Sequence, residues 1–448
     1  MIQTFVNAWK VQELRKKILF TLMIILLYRI GANLFIPYID INEIAGASFL
    51  RDGIFGMLSI MSGSAFSQGT FFALGVSPYI TASIVIQLLS VAIPALERLS
   101  KDEEGKKKLT AATRWVTIAL AIVTAYGYVN IVSGDLNGDK IPGDGVTFKE
   151  GDVFAWIVMI TCLCAGASMI MWLAEKINEH GIGNGISMIL FANIISGFFQ
   201  TIQNTVGMLQ DNNLVGEWKT GWDLVLGIVG VIASIALTLA AIVLIVWFTN
   251  SERRIKVIYA KKVVGRKMYG GQKTNLPLKM NMAGVMPVIF ASSIVSIPET
   301  IAIFVSGTGF ATFVNTWLGA TSPIYIIVFI ALIVAFSYFY IAISFNPVEV
   351  ANNIRNNGGA IIGIRPQEMA PFIKKILNRV TLMGAIFLVI IAGAPLIANA
   401  ILSLIPGANF ASLAFTGTSL LIVVGVALET VRDLEAQLSM RNYKGFLD

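Results

Sequence analysis

Few residues in this chain have the type and spacing for chemistry. The single histidine, His180, excludes a zinc site of Cys/His spacing and any H-E-x-x-H metal motif. The two cysteines, Cys162 and Cys164, lie in one apolar run. Residues two apart on a helix point to different sides, so they read as buried thiols rather than a disulfide. Asp135, Asn137 and Asp139 fit positions one, three and five of a calcium loop. The sixth position, however, is Lys140 where Gly is needed, and the twelfth is Val146 where Glu is needed, so the segment reads as a solvated loop. Arg29, Glu299 and Glu429 lie within apolar stretches but towards their ends, where snorkelling or capping accounts for them. No Walker or Rossmann glycine pattern follows a strand. No catalytic centre is expected, and the energy for any transport would have to come from partners.

The elements that hold these residues belong to a membrane protein. The chain has 448 residues, 56% hydrophobic and 13% charged, with a mean hydropathy of +0.76. Soluble domains carry about 25% charged residues. About 20 apolar residues span a bilayer core. Candidate spans lie near 18–37, 71–93, 115–133, 153–173, 184–207, 223–249, 284–305, 323–345, 377–401 and 415–431. The first follows a basic amphipathic start (Lys10, Arg15, Lys16, Lys17) with no small-residue cleavage site, so it is expected to be retained as a spanning helix.

The loops test that count. Of the 33 Lys and Arg residues, 28 fall in one set of alternate loops and the tails. Four (Arg51, Lys140, Lys149, Lys219) fall in the other set, and Arg29 sits in a span. By the positive-inside rule the basic set is cytoplasmic, as are both termini. Two loops on that side, 250–283 and 346–376, are longer and more basic than a connection requires. On the other side, the Gly/Ser-rich piece from Ile54 to Phe66 is too short to span, and reads as interfacial or re-entrant. GVSPYITAS (75–83) and GIGNGIS (181–187) put small residues at helix starts, where helices can approach closely or shift.

Five long motifs then become recognisable. They are GTFFALGVSPYITASIVIQLL (69–89), MWLAEKINEHGIGNGISMI (171–189), RRIKVIYAKK with YGGQKTNLPLKMNMAGVMPVIFASS (253–293), FNPVEVANNIRNNGGAIIGIRP (345–366) and GTSLLIVVGV (417–426). In this order they resemble the SecY family, large channel subunits of the bacterial protein-export translocon. After GIRP the chain has Gln367, where that family often has Gly.

The resemblance implies an all-α integral membrane protein of ten transmembrane helices in two pseudo-symmetric five-helix halves, 1–208 and 209–448, with a short plug helix at about 54–66. It implies a protein-conducting channel that passes unfolded secretory polypeptides across the plasma membrane and releases transmembrane segments through a lateral gate. The alternative from helix count alone is a secondary transporter of a small solute, which the scarcity of mid-membrane charge disfavours.

The same resemblance assigns a pore ring to Ile80, Ile84, Ile186, Leu190, Ile289 and Ile422. Ile54, Phe55, Met57, Leu58, Ile60 and Met61 fall to the plug. Ser83, Gln87, Ser292 and Ser293 fall to the seam between the second and seventh helices. Arg253, Arg254 and Arg365 fall to motor and ribosome docking. The partners implied are SecE and SecG, the SecA motor ATPase, the ribosome, signal peptides with their nascent chains, and the phospholipid bilayer. No cofactor or metal is implied.

Overall fold

The computed structural model describes residues 2–39, 59, 62–132, 153–210, 236, 238–259, 262–264, 267–269, 273–304, 309–319, 322–402 and 417–444. Its elements in chain order are α1 (Ile2–Lys10), α2 (Gln12–Gly31), α3 (Ser77–Ala92), α4 (Pro94–Lys101), α5 (Glu103–Val132), α6 (Val153–His180), α7 (Gly185–Gln210) and α8 (Thr238–Asn250). Four strands follow: β1 (Glu252–Tyr259), β2 (Lys262–Val264), β3 (Lys267–Tyr269) and β4 (Lys273–Lys279). Then come α9 (Met286–Phe304), α10 (Gly309–Trp317), α11 (Pro323–Ser344), α12 (Pro347–Asn356), β5 (Gly359–Ile361), α13 (Met369–Leu402) and α14 (Gly417–Lys444).

The protein is mostly helical, and each of the ten expected spans contains a helix. Among the described residues, four helices are long and apolar enough to cross a membrane on their own, or five if the bent pair α3–α4 counts as one span. Stretches of α7, α8 and α9 are shorter apolar helices. At about 1.5 Å per residue, the 30-residue α5 exceeds the roughly 30 Å of a bilayer core. Large apolar side chains such as Val243, Trp247 and Ile327 face outward, which water would penalise and lipid does not.

Proline places several boundaries. Ile93 precedes Pro94 and takes an extended conformation, as the ring of a following proline demands. The chain therefore turns by 111° between α3 and α4. α11 stops at the extended Phe345, and α12 starts at Pro347, pre-set for a first helical turn. The Asn346 side chain caps it, accepting hydrogen bonds from the Val348 and Glu349 amides.

The helices form two packed groups. α2, α3, α5, α6 and α7 contact one another, as do α9, α11, α13 and α14. The groups meet along two seams: α9 against α3 and α5, and α14 against α7 and α1. One apolar cluster runs through both, from Ile24 and Tyr28 to Leu421 and Leu428.

The two basic loops add an element that the sequence reading lacked. β4, β1 and β5 form a three-stranded antiparallel sheet, with Ile255 opposite Leu276 and Val257 opposite Ile361. Along β1, buried Ile255 and Val257 alternate with exposed Arg254 and Lys256, the period-two pattern of a half-buried strand. The apolar face packs Leu278 and Ile361 with Ala351, Ile354, Met369 and Ile373 from α12 and α13. The loops 250–283 and 346–376 are therefore one folded unit.

Candidate constriction, gate and docking surfaces

Helices α3, α7, α9 and α14 bring the six expected ring residues together. Ile80 and Ile84, one turn apart on α3, are both buried, as are Leu190, Ile289 and Ile422. All five belong to one apolar cluster, and the half-buried Ile186 packs against it. The start of α7 is fixed by three side chains. Asn178 accepts from the Gly185 amide at 2.7 Å, Asn184 from the Ile186 amide at 3.1 Å, and Thr21 from the Ile182 amide at 3.1 Å. These bonds satisfy donors that a helix start leaves open, and they set the direction in which Ile186 and Leu190 project. The constellation offers aliphatic carbon and no ionisable group. It offers no charge and no side-chain hydrogen bond to a polar group or an ion.

The seam residues sit on the expected helices, Ser83 and Gln87 on α3 and Ser292 and Ser293 on α9. The exposed Gln87 donates to Ser83 Oγ at 3.3 Å along α3. Ser292 donates to the Ile289 carbonyl at 2.8 Å within α9. Ser293 Oγ is buried with no hydrogen-bond partner among the described residues. Beside this seam lies a mostly apolar cavity of about 330 Å³. Its walls include Thr81 of α3, Leu120 of α5, Leu190 of α7, and Ser296 and Ile297 of α9.

The six expected plug residues, Ile54, Phe55, Met57, Leu58, Ile60 and Met61, lie outside the described residues, as does the loop containing Asp135, Asn137 and Asp139. The end of the expected plug stretch, from Ser62 to Phe66, is described, and it is clamped. Ser62 Oγ accepts from the Phe66 amide at 3.0 Å. Tyr128 of α5 donates to the Phe66 carbonyl at 2.8 Å, with the two rings edge to face. Phe72 stacks on Tyr28 with ring centroids 5.2 Å apart.

Arg253 and Arg254 are exposed on β1. Arg254 pairs with Glu252 at 2.6 Å. Arg365 is also exposed, in the bend after Ile361 where Gly363 takes φ +80°, a left-handed conformation suited to glycine. β5, which ends four residues before Arg365, lies beside β1, the strand that carries Arg253 and Arg254. Near β4, a second cavity of about 260 Å³ is lined by Lys279, Glu429, Arg432 and Asp433. Burial holds the Asp433 carboxyl above its ordinary range, against the opposing pull of Lys279. Arg114 makes a two-pronged bridge to Glu175, at 3.0 and 2.7 Å, which raises its own pKa and ties α5 to α6.

Sequence reasoning missed three features. The sheet had a signal in the alternation of R-I-K-V-I-Y and of N-L-P-L-K. The Tyr128–Phe66 bond had none. Arg29, read as a snorkelling or capping residue, instead donates from Nη2 to Ser196 of α7.

Comparison with known proteins places this architecture. The SecY family model matches residues 70–431. The protein translocase subunit SecY of Streptomyces scabiei is 41% identical over 454 residues, covering 100% of both chains. That of Streptomyces coelicolor is 43% identical over 456 residues, again with 100% of both covered. That of Mycobacterium tuberculosis (strain H37Rv) is 40% identical over 463 residues at the same coverage. Among solved structures, one described as a protein conducting channel superposes with a TM-score of 0.64 at 18% identity, covering 94% of this chain and 92% of that one. Sec61 in the canine ribosome–channel complex superposes at 0.61 and 17% identity, with the same coverage. The structural likeness carries the fold, the full-length sequence identity carries the kinship, and this chain belongs to the SecY family.

Proposed function

We infer that this chain is the channel-forming subunit of a protein translocase. It passes unfolded polypeptides across a membrane and releases apolar segments sideways into lipid. The observation that carries this reading is the identity of 41–43% along the whole chain with protein translocase subunits.

The assignments within the chain have their own support. The aliphatic ring of Ile80, Ile84, Ile186, Leu190, Ile289 and Ile422 is supported by the burial of these residues in and against one cluster. Such a ring yields to side chains of many sizes and wets poorly, which opposes ion leak at rest. The gate is assigned to the α3–α9 seam with Ser83, Gln87, Ser292 and Ser293, supported by the cavity beside it. An apolar segment entering lipid there gains roughly 25 cal/mol per Å² of apolar surface removed from water. The plug is assigned to 54–66, and the clamped residues from Ser62 to Phe66 form its end. The two groups of helices correspond to halves 1–208 and 209–448 that part along the seam.

The membrane is the bacterial plasma membrane with both termini cytoplasmic, on the strength of the charge asymmetry between loops. The sheet with Arg253, Arg254 and the nearby Arg365 is the docking surface for the ribosome and the SecA motor. Planar guanidinium groups suit both RNA phosphate and carboxylates. The canine Sec61 neighbour belongs to a ribosome–channel complex. SecE and SecG complete the membrane complex.

The test is reconstitution. In liposomes containing this chain, its small subunits, the motor and ATP, a signal-bearing precursor should become protected from protease. Failure of protection, together with motor-independent uptake of a small solute, would replace this reading with the transporter alternative.

A further inference from the structure

Arg29 lies in the last turn of α2, and its guanidinium is used in an unusual way. Nη2 donates to Ser196 of α7, while Nη1 is buried with no hydrogen-bond partner among the described residues. Leaving a charged donor unsatisfied is costly, and a native structure keeps such a group for a reason. Against it lies a turn with two successive left-handed residues, Gly63 (φ +65°) and Ser64 (φ +71°). A Cβ on Gly63 would stand 3.0 Å from Arg29 Nη1, 3.0 Å from Asn193 Oδ1 and 3.2 Å from Asn193 Cα. Glycine is therefore required twice over, for its backbone angle and for the closeness of the guanidinium. Ser64 has no such licence, and its conformation persists only because the surroundings fix it.

Those surroundings are specific. Ser64 donates its amide to the Ser59 carbonyl at 2.8 Å. Asn193 is fully buried and donates to the Tyr28 hydroxyl at 2.9 Å. Tyr128 holds the far side of the turn through the Phe66 carbonyl. The α7 residues that meet Arg29 and Gly63, Ser196 and Asn193, sit on the same helix as Leu190 of the apolar cluster.

We propose that Arg29 is a latch, a positioning residue that pins the Gly63–Ser64 turn to α7 and so holds the channel shut at rest. The proposal rests on the channel reading above, in which this turn lies near the end of the plug at 54–66. Displacing the turn relieves the Ser64 backbone and frees Nη1 for water or for the backbone carbonyls of an entering chain. The latch thus stores in the closed state part of what favours the open one.

The experiment compares resting iodide leak in liposomes holding the complete membrane complex, with Arg29→Lys, Arg29→Met, Ser196→Ala and the ring variant Ile422→Asn. Loss of a hydrogen bond to a charged group should shift the closed–open balance roughly tenfold. Arg29→Met should leak accordingly, Ser196→Ala should leak less, and Arg29→Lys, which keeps the charge without the fork, should fall between Arg29→Met and the parent. Because both act through one contact, adding Ser196→Ala to Arg29→Met should add little. A purely structural role would lower thermal stability with no change in leak. If Arg29→Met does not assemble, Ser196→Ala alone decides. Parent-like sealing by the assembled latch variants, with Ile422→Asn leaking, overturns the latch and leaves the channel reading intact. Sealing by Ile422→Asn as well overturns the ring assignment and the latch with it.

Discussion

Val257 of β1 lies opposite Ile361 of β5, and this pair joins the two basic loops into one sheet. Both side chains are buried among residues of α12 and α13. Ile361→Ala should therefore cost about 2–4 kcal/mol locally, as loss of a buried aliphatic side chain does. Hydrogen exchange at 255–258 should accelerate in this variant even though the mutation lies in the other loop. Unchanged exchange there would mean that the strands do not support each other.

Charge on the exposed edge of this unit can be reversed without touching its core. Arg365→Glu should impair motor-driven export severalfold, with the chain still assembled and thermally unchanged, because an exposed side chain contributes little to stability. Arg254→Glu should act in the same direction. It also places a second carboxylate beside Glu252, its present partner at 2.6 Å. Export rates at parental levels for both would remove docking from this surface.

A polar group in the aliphatic cluster should loosen its seal. Ile289→Asn and Ile422→Asn each put an amide at a buried position, which costs about 1–3 kcal/mol unless water or a partner satisfies it. The closed state bears that cost, so both variants should export precursors with weakened signal peptides. Discrimination equal to the parent's would show that these residues do not line the constriction.

Tyr128→Phe removes the hydroxyl that donates to the Phe66 carbonyl and leaves the ring contact. The expected cost is about 1 kcal/mol. It should appear as a lower Tm in detergent and a higher resting leak, since the end of the 54–66 segment loses its hydrogen bond to α5. A lower Tm with no added leak would confine Tyr128 to a structural role.

The fold was legible where one residue type acts over a long stretch. Hydropathy located ten spans, and a helix lies in each. The ring positions were named from motif resemblance, since any single isoleucine in a spanning helix is ordinarily a lipid or core contact. What escaped depends on contacts between distant segments. The alternating Ile255 and Val257 were visible as letters, but β1 is paired by β4 on one side and by β5 from another loop on the other. The Arg29–Ser196 and Tyr128–Phe66 bonds depend on how segments distant in sequence meet, which no local pattern encodes. The expected gate residues lie on the expected helices, yet Gln87 and Ser83 bond each other along α3 rather than reaching α9.

The central claim is that a polypeptide passes through the ring formed by α3, α7, α9 and α14. The direct measurement is disulfide cross-linking from a single cysteine in an arrested, half-exported precursor. Cysteines would be placed at Ile84, Ile289 and Ile422, and at the outward-facing Ile327 of α11, in a chain whose native Cys162 and Cys164 are replaced by Ala. Passage through the ring predicts cross-links at the three buried positions and none at Ile327. Cross-linking at Ile327 with none at the other three would contradict it.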